Sequence, residues 1–254
     1  MGEKADMTAI ILAAGLGMRM GPRGKLMPKG LIEVGGEALV AQSVETLRRA
    51  GFDSIVVVTG HLAEQYEARF AATDVRLIHN PDYATTGSLR TLMVALETVS
   101  GPVALLESDL IYAPEVLEAV SPTADRFLVS TPTGAGDEVY TWVRPGAPGN
   151  AMAVISKDPA TRAERPFGEM IGITSLSAHA VDRLRVHGQT VLAETPEAHY
   201  EDGIVALCQE VVIECVRFDG VPWAEIDDEE MLARAEREVW PRVKAARQML
   251  YGTT

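Results

Sequence analysis

Residues 8–30 read TAIILAAGLGMRMGPRGKLMPKG, an apolar run that leads directly into a loop rich in glycine. The run at 8–13 is almost entirely aliphatic, which is typical of a strand buried on both faces of a parallel sheet. The loop at 15–30 contains five glycines and two prolines but no acidic residue. Because ligands of open parallel sheets bind where the strands end, this loop is the predicted ligand site.

Strands and helices alternate through the first 130 residues. Further buried strands are predicted at 54–59, 75–79 and 103–107, and helices at 39–50, 61–72 and 89–99. The alternation predicts βαβ units and therefore an α/β fold with a Rossmann-like, mostly parallel sheet.

The pattern changes after residue 130. Residues 131–149 are rich in Gly, Pro and Thr, and short strands predicted at 139–143 and 151–155 indicate a small mixed or antiparallel subregion. A helix is predicted at 177–186, a strand at 211–217, and a long helical stretch at 228–250 that is kinked or interrupted at Pro241. Without a repeat or a linker, we expect one domain over residues 1–254.

Charge is unevenly distributed along this chain of 254 residues, whose net charge is −13. Such acidity disfavours nucleic acid as a partner, because binding to the phosphate backbone needs clustered Lys and Arg. Segment 7–32 nevertheless has four basic residues and no acid, whereas segment 194–230 has 12 acids and one base. The basic loop suits a triphosphate, since glycine amides can approach phosphate oxygens and Arg19, Lys25 and Lys29 add positive charge.

The loop does not match two common phosphate-binding motifs. The dinucleotide motif GxGxxG would need glycine where Met20 stands. The triphosphatase loop would need glycine in place of Arg19 and a hydroxyl residue in place of Leu26. No apolar run approaches 18 residues, and Cys208 and Cys215 fit no zinc spacing, so we expect a cytoplasmic protein with reduced thiols, no leader and no membrane span.

A longer pattern carries a family resemblance. The stretch LAAGLGMRM…PKGLIEVGGEALV…SVETLRRAGFDSIVVVTGH resembles the sugar-nucleotidyltransferase-like pyrophosphorylases over roughly the first 110 residues. This resemblance implies an enzyme that joins a nucleoside triphosphate to a phosphorylated partner. Later stretches are most similar to cytidylyltransferases that act on phosphocholine-like or phosphonate substrates, in particular 2-aminoethylphosphonate: HNPDYATTGSLRTL, LLESDLIY, GEMIGITSLS, HYEDGI and WAEIDDEEML.

The resemblance also implies a set of nucleotide and metal residues. The triphosphate loop would comprise Leu12, Ala13, Ala14, Gly15, Gly17, Arg19 and Lys29, with Arg19 beside the departing pyrophosphate. The metal pair would be Asp109 and Asp227, and Asp109 follows a buried strand that places it at the ligand edge of the sheet. Mg²⁺ takes one or two such carboxylates. Asp228 is predicted to cap the last helix instead, and Glu107 to support the site.

The base and the second substrate are expected at two further segments. Residues 80–88 would hold the nucleoside through Asn80, Thr86, Gly87 and Ser88, although a capping turn would use the same residues. In the predicted substrate half, at about 131–227, Lys157 would bind phosphonate oxygens, and Glu169, Asp202 and Glu201 a cationic amine; ordinary surface charges are the alternative. Aromatic residues make up only 6% of the chain, which favours a primary amine over choline, although Tyr140, Trp142, Tyr200 and Trp223 could supply a cage.

Together with this resemblance, which alone implies cytosine rather than uracil, the sequence predicts a CTP-dependent, magnesium-requiring cytidylyltransferase acting on a small phosphonate and releasing pyrophosphate. Lys29, Arg19 and Asp109 are the expected catalytic residues. The alternatives are a choline-phosphate cytidylyltransferase, a sugar-1-phosphate nucleotidyltransferase and a non-catalytic nucleotide-sensing subunit. A homodimer is left open.

Overall fold

Nine strands form one mixed sheet in the computed structural model, which describes residues 3–147 and 149–252. Four further strands, β2, β3, β7 and β13, form two small two-stranded sheets. In chain order the strands of all three sheets are β1 (Thr8–Ala13), β2 (Glu33–Val34), β3 (Glu37–Ala38), β4 (Ser54–Thr59), β5 (Arg76–His79), β6 (Val103–Glu107), β7 (Leu110–Tyr112), β8 (Arg126–Ser130), β9 (Tyr140–Val143), β10 (Met152–Ser156), β11 (Gly168–Leu176), β12 (Glu214–Phe218) and β13 (Trp223–Glu225). The helices are α1 (Leu39–Arg49), α2 (Ala63–Phe70), α3 (Ser88–Leu96), α4 (Ala178–Glu194), α5 (Tyr200–Leu207), α6 (Glu229–Arg234) and α7 (Trp240–Tyr251).

The sheet has a parallel and an antiparallel part. Strands β5, β4, β1 and β6 are mutually parallel neighbours in that order. Strand β11 then runs antiparallel to β6, and it also pairs antiparallel with β8 and β9. The predicted α/β class, the mostly parallel arrangement of the first strands and the antiparallel subregion are thereby confirmed.

The apolar residues of β1 are consecutive because both faces of the sheet are covered. Ile10 and Leu12 belong to a core that includes α3, α4 and α5. Ile11, one residue out of phase, belongs to a second core that includes α1 and α2. Since side chains alternate between the two faces of a strand, a strand covered on both sides needs an unbroken apolar run.

Several element boundaries differ from the predicted ones. The strand predicted at 211–217 begins only at Glu214, because Val211 still donates its N–H to the Leu207 carbonyl in the turn after α5. The predicted C-terminal helix is interrupted by a π-helical turn, Ala235–Val239, just before α7. Pro241 lies in the first turn of α7 and has no N–H to donate, which explains why the helical hydrogen bonding changes there. Strand β11 and helix α5 had no counterpart in the sequence prediction.

One pairing outside the main sheet positions the C-terminal segment. Strand β13 runs antiparallel to β7, and the Ile226 N–H donates to the Asp109 carbonyl at 3.0 Å. The residues around Glu225 therefore lie beside the end of β6. The expected division near residue 130 between two halves of one domain falls inside the main sheet. The single-domain organisation over residues 1–254 stays a prediction, and residues 1–2, 148 and 253–254 of that range lie outside the described residues. Within the described ranges, none of the helices has the length and apolar character that a bilayer span requires.

Candidate active site

The glycine-rich loop follows β1 and folds back on itself through three short 3₁₀ turns, Met18–Met20, Arg23–Lys25 and Lys29–Leu31. Gly17 has φ +61°, in the left-handed region that favours glycine. A Cβ on Gly24 would lie 2.2 Å from the Gly17 carbonyl oxygen, so the two backbones touch where only glycine fits. This contact returns the chain toward the sheet and brings Lys29 opposite the start of the loop.

A cavity of about 760 Å³ opens at the carboxyl ends of the parallel strands. This volume is in the range usual for small-molecule sites. Thirteen of the residues predicted to bind nucleotide, metal or acceptor line it: Leu12, Ala13, Ala14, Gly15, Gly17, Arg19, Lys29, Thr86, Gly87, Ser88, Asp109, Lys157 and Glu201. Four others lie outside its wall: Asn80, Glu169, Asp202 and Asp227.

Ion pairs join the basic loop to the carboxylates at the end of β6 and β13. The Lys29 ammonium lies 3.1 Å from Asp109 Oδ2 and also contacts Asp227 Oδ1. Arg19 contacts the other oxygen of Asp227 and lies 3.0 Å from Asp137 Oδ2. Asp227 is fully buried, so its charge is balanced by Lys29 and Arg19 rather than by water.

The two predicted metal ligands belong to adjacent acidic sets that share one residue. Glu107, Asp109 and Glu225 form one set, and Asp137, Glu225 and Asp227 form the other; within each set the oxygens lie within 4.8 Å of one another. A buried oxygen of Glu107, Oε2, has no hydrogen-bond partner among the described residues. An all-oxygen donor set with a free acceptor fits a hard divalent cation such as Mg²⁺.

Burial raises the pKa of the carboxyl groups on the cavity's acidic wall. The pKa of Glu107 lies well above its usual 4.5, because of burial first and then the nearby charge of Glu225. Burial and Asp109 raise the pKa of Glu225 to about 7. Burial also raises the pKa of Glu201, which lies on α5 and lines the same cavity. A wall of carboxyl groups that resist ionisation favours a cationic ligand, since a positive charge would stabilise their ionised forms.

The residues predicted to bind the nucleoside base also have structural roles in their loop. Asn80 is fully buried; its Nδ2 donates to Thr91 Oγ1 at 3.1 Å, and its Oδ1 accepts the Asp82 N–H at 3.0 Å. Ser88 begins α3 as expected, and its Oγ accepts the Tyr200 N–H at 2.9 Å. Asn80 therefore stabilises the loop through buried hydrogen bonds, whereas Thr86, Gly87 and Ser88 line the cavity.

Of the four residues predicted to bind the acceptor, Lys157 and Glu201 line the cavity, whereas Glu169 and Asp202 do not. Glu169 is buried and accepts hydrogen bonds from the Thr133 backbone at 2.5 Å and the Thr133 hydroxyl at 3.2 Å. Asp202 is exposed and accepts the His199 N–H at 2.8 Å, which makes it a capping residue of α5. Asp228 likewise caps α6 by accepting the Met231 N–H at 2.8 Å, which confirms the prediction for that residue.

Glu225 lines the cavity and was not predicted to do so; it is separated from Asp227 by one residue. Of the neighbouring residues Glu201 and Asp202, both predicted to bind an amine, only Glu201 lines the cavity. Tyr83 and Tyr200 also line the cavity. The other three candidate cage residues do not: Tyr140, Trp142 and Trp223. Strand and helix phase decide which neighbour points inward, and that phase was not assigned in these segments.

Comparison with known proteins identifies the family to which this chain is similar. The model of the MobA-like NTP transferase domain matches residues 9–166. The chain is 36% identical over 136 residues to CMP-5'-(3-aminopropyl)phosphonate synthase of Streptomyces rubellomurinus, covering 51% of this chain and 22% of that protein. It is 34% identical over 145 residues to 2-aminoethylphosphonate cytidylyltransferase of Lancefieldella rimae, covering 55% of this chain and 58% of that protein. The chain thus spans less than two thirds of the length of either relative.

A solved structure shows the same fold. CTP:phosphocholine cytidylyltransferase from Streptococcus pneumoniae superposes with a TM-score of 0.74 at 19% identity, covering 91% of this chain and 98% of that one. The predicted nucleotidyltransferase-type fold is therefore confirmed.

Proposed function

The chain belongs to the MobA-like NTP transferase family, and on that premise we propose that it transfers CMP from CTP to a small phosphonate that carries a cationic amine. The observation that carries this proposal is the polarity of the cavity. The glycine-rich loop with Arg19 and Lys29 lines it, and so does the Glu201 carboxyl group on α5. A molecule with anionic phosphoryl groups at one end and an ammonium group at the other matches both kinds of lining group.

In this reaction an oxygen of the phosphonate attacks the α-phosphorus of CTP in line. A new oxygen–phosphorus bond forms, the bond from the α-phosphorus to the bridging oxygen breaks, and pyrophosphate leaves with the electron pair. The attacking oxygen is already anionic, so the reaction needs no protein base and no covalent intermediate. Catalysis then consists of positioning and charge neutralisation.

Different residues of the cavity position the substrates and neutralise charge in this reaction. Lys29 neutralises the negative charge that grows on the α-phosphate, since it lies where the basic loop meets the carboxylates. Arg19 and the backbone amides of the loop hold the pyrophosphate. Lys157 holds the phosphonate oxygens, and Glu201 orients the ammonium group. Asp109, together with Glu107, Glu225 or Asp227, would hold a magnesium ion, which supplies further positive charge beside the phosphate oxygens.

Choline phosphate is the second candidate acceptor. Tyr83 and Tyr200 line the same cavity, and aromatic faces attract a quaternary ammonium. The carboxylates favour the primary amine, because an ammonium N–H can donate a charged hydrogen bond that a quaternary nitrogen cannot.

The test is pyrophosphate release with Mg²⁺ and each of the four NTPs, against 2-aminoethylphosphonate, phosphocholine and glucose-1-phosphate. We expect the highest kcat/KM with CTP and 2-aminoethylphosphonate. Ethylphosphonate, which has the same chain without the amine, serves as the matched control. Its kcat/KM should be lower by about 10- to 140-fold, since a hydrogen bond to a charged group contributes roughly 1.5–3 kcal/mol. Equal turnover of ethylphosphonate would refute recognition of the amine, and preference for glucose-1-phosphate would refute the acceptor class.

A further inference from the structure

The Arg19 guanidinium lies between two carboxylates that belong to different parts of the fold. It contacts Asp227, beyond β13, and lies 3.0 Å from Asp137, on the segment between β8 and β9. Asp227 is buried and is also bound by Lys29, so this pair is part of a network of ion pairs around a buried carboxylate. The pair with Asp137 lies at the surface, since the Arg19 side chain is 49% exposed.

The Asp137 segment is anchored at several points along its length. Thr131 hydrogen bonds to Asp219, and Thr133 to Glu169, so its first residues are held by the protein around them. Asp137 instead is held by the basic loop, through Arg19. Val139, two residues further, lines the cavity. The Arg19–Asp137 contact therefore joins the loop proposed to bind the triphosphate to the segment that borders the acceptor space.

We propose that Asp137 is a positioning residue that competes with pyrophosphate for Arg19. This inference rests on the proposed function, in which Arg19 holds the β- and γ-phosphates. When those phosphates bind, they replace Asp137 as the partner of Arg19. When pyrophosphate leaves, the ion pair between Arg19 and Asp137 forms again. An internal anion of this kind lowers the affinity for both CTP and pyrophosphate, and so promotes product release.

The expected effect follows from the exposure of the pair. Exposed ion pairs are weak and are screened by salt, so losing this competitor should strengthen binding about two- to fivefold. Asp137→Asn should tighten binding of CTP and of pyrophosphate by that factor. CMP should bind as it does to the wild type, because it lacks the phosphates that reach Arg19. The gain should shrink in 0.5 M KCl, which shortens the Debye length to a few ångströms (about 4 Å).

Titration calorimetry of the wild type and Asp137→Asn with CTP, pyrophosphate and CMP, each in MgCl₂, tests the proposal. Glu138→Gln is the matched control, since it removes the same charge from the same segment. The Glu138 carboxylate accepts the Gly136 N–H rather than a bond from Arg19. In an Arg19→Gln background, Asp137→Asn should no longer tighten CTP binding, since a double-mutant cycle isolates the pairwise contribution.

Three results would overturn the proposal while leaving the proposed function intact: unchanged or weaker CTP binding to Asp137→Asn, equal tightening of CMP, or the same gain from Glu138→Gln. Failure of the wild type to bind any of the four NTPs would instead refute the proposed function, and this inference with it.

Discussion

Replacing Gly87 with alanine is expected to destabilise the protein and to displace one wall of the cavity. Gly87 has extended backbone angles, φ −88° and ψ −175°, which alanine also adopts. The difficulty is space, because the new Cβ would lie 2.2 Å from the carbonyl oxygens of both Glu197 and Ala198. Real Cβ atoms essentially never approach closer than 3.0 Å, so the backbone before α5 must move away by about 0.8 Å.

This displacement has a cost that can be estimated from the contacts it strains. Three hydrogen bonds join the two segments: Gly87 N–H to Pro196 at 3.2 Å, Leu89 N–H to Ala198 at 3.1 Å, and Tyr200 N–H to Ser88 Oγ at 2.9 Å. Each contributes about 0.5–1.5 kcal/mol, and overpacking typically costs about 1–3 kcal/mol. Since the hydrogen bonds lengthen rather than vanish, we expect the free energy of unfolding to fall by about 2–4 kcal/mol.

Urea unfolding followed by circular dichroism measures this loss. With a slope of about 3 kcal/mol per molar urea for a chain of this size, the midpoint should fall by about 1 M. Gly15→Ala is the matched control, since a Cβ there meets nothing within 4 Å and the midpoint should stay unchanged. An unchanged midpoint for Gly87→Ala would show that the Pro196–Tyr200 segment is not packed as described.

Further predictions concern catalysis, acceptor binding, metal dependence and pH. Lys29→Ala should lower kcat by about 10²–10³, the usual loss when one preorganised charge is removed from a transition state. Glu201→Gln should raise KM for 2-aminoethylphosphonate at least about tenfold and leave KM for CTP unchanged, because it removes one charged partner of the amine. EDTA should abolish pyrophosphate release, and added MgCl₂ should restore it, because the oxygen-only acidic sets suit that ion. Burial raises the pKa of Glu169 to about 7 from 4.5, so the folded state keeps a proton that the unfolded state loses in this range. The free energy of unfolding should therefore fall as pH rises from about 4.5 to 7. In Glu169→Gln this fall should be absent when urea unfolding is compared at pH 5 and pH 8.

Each of these predictions has a control or a contradicting outcome. Lys25→Ala, in the same loop but outside the cavity wall, should change kcat far less than Lys29→Ala. Asp202→Asn keeps the helix cap and should leave acceptor KM unchanged; an effect equal to that of Glu201→Gln would contradict the assignment of the amine to Glu201 alone. Full turnover in EDTA would contradict the metal requirement. An equal pH dependence of wild type and Glu169→Gln would contradict the role given to the Glu169 carboxyl group.

The nucleotide side of this protein could be predicted from local sequence. The predicted bounds of β1, β4 and β6 agree with the structure because each is an unbroken apolar run between glycine, polar or acidic residues, and such runs form buried parallel strands wherever they lie in a fold. The loop after β1 follows its strand directly, so its place at the ligand edge needed no knowledge of distant contacts. Asp109 was predicted correctly at that edge for the same reason.

The acceptor side depended on contacts between distant segments. Asp227 lies near Asp109 because β13 pairs with β7, and no local pattern reveals which strand a three-residue segment will join. Glu225 rather than Asp227 reaches the cavity, and Glu201 rather than Asp202, because strand pairing and helix packing set which side chain faces inward. Local composition thus determines the place of the loop that we propose to bind phosphate, since an apolar strand followed directly by a glycine-rich basic loop is enough for that. Which carboxylates line the cavity is decided only when the chain has folded, because their positions depend on pairings between segments far apart in sequence.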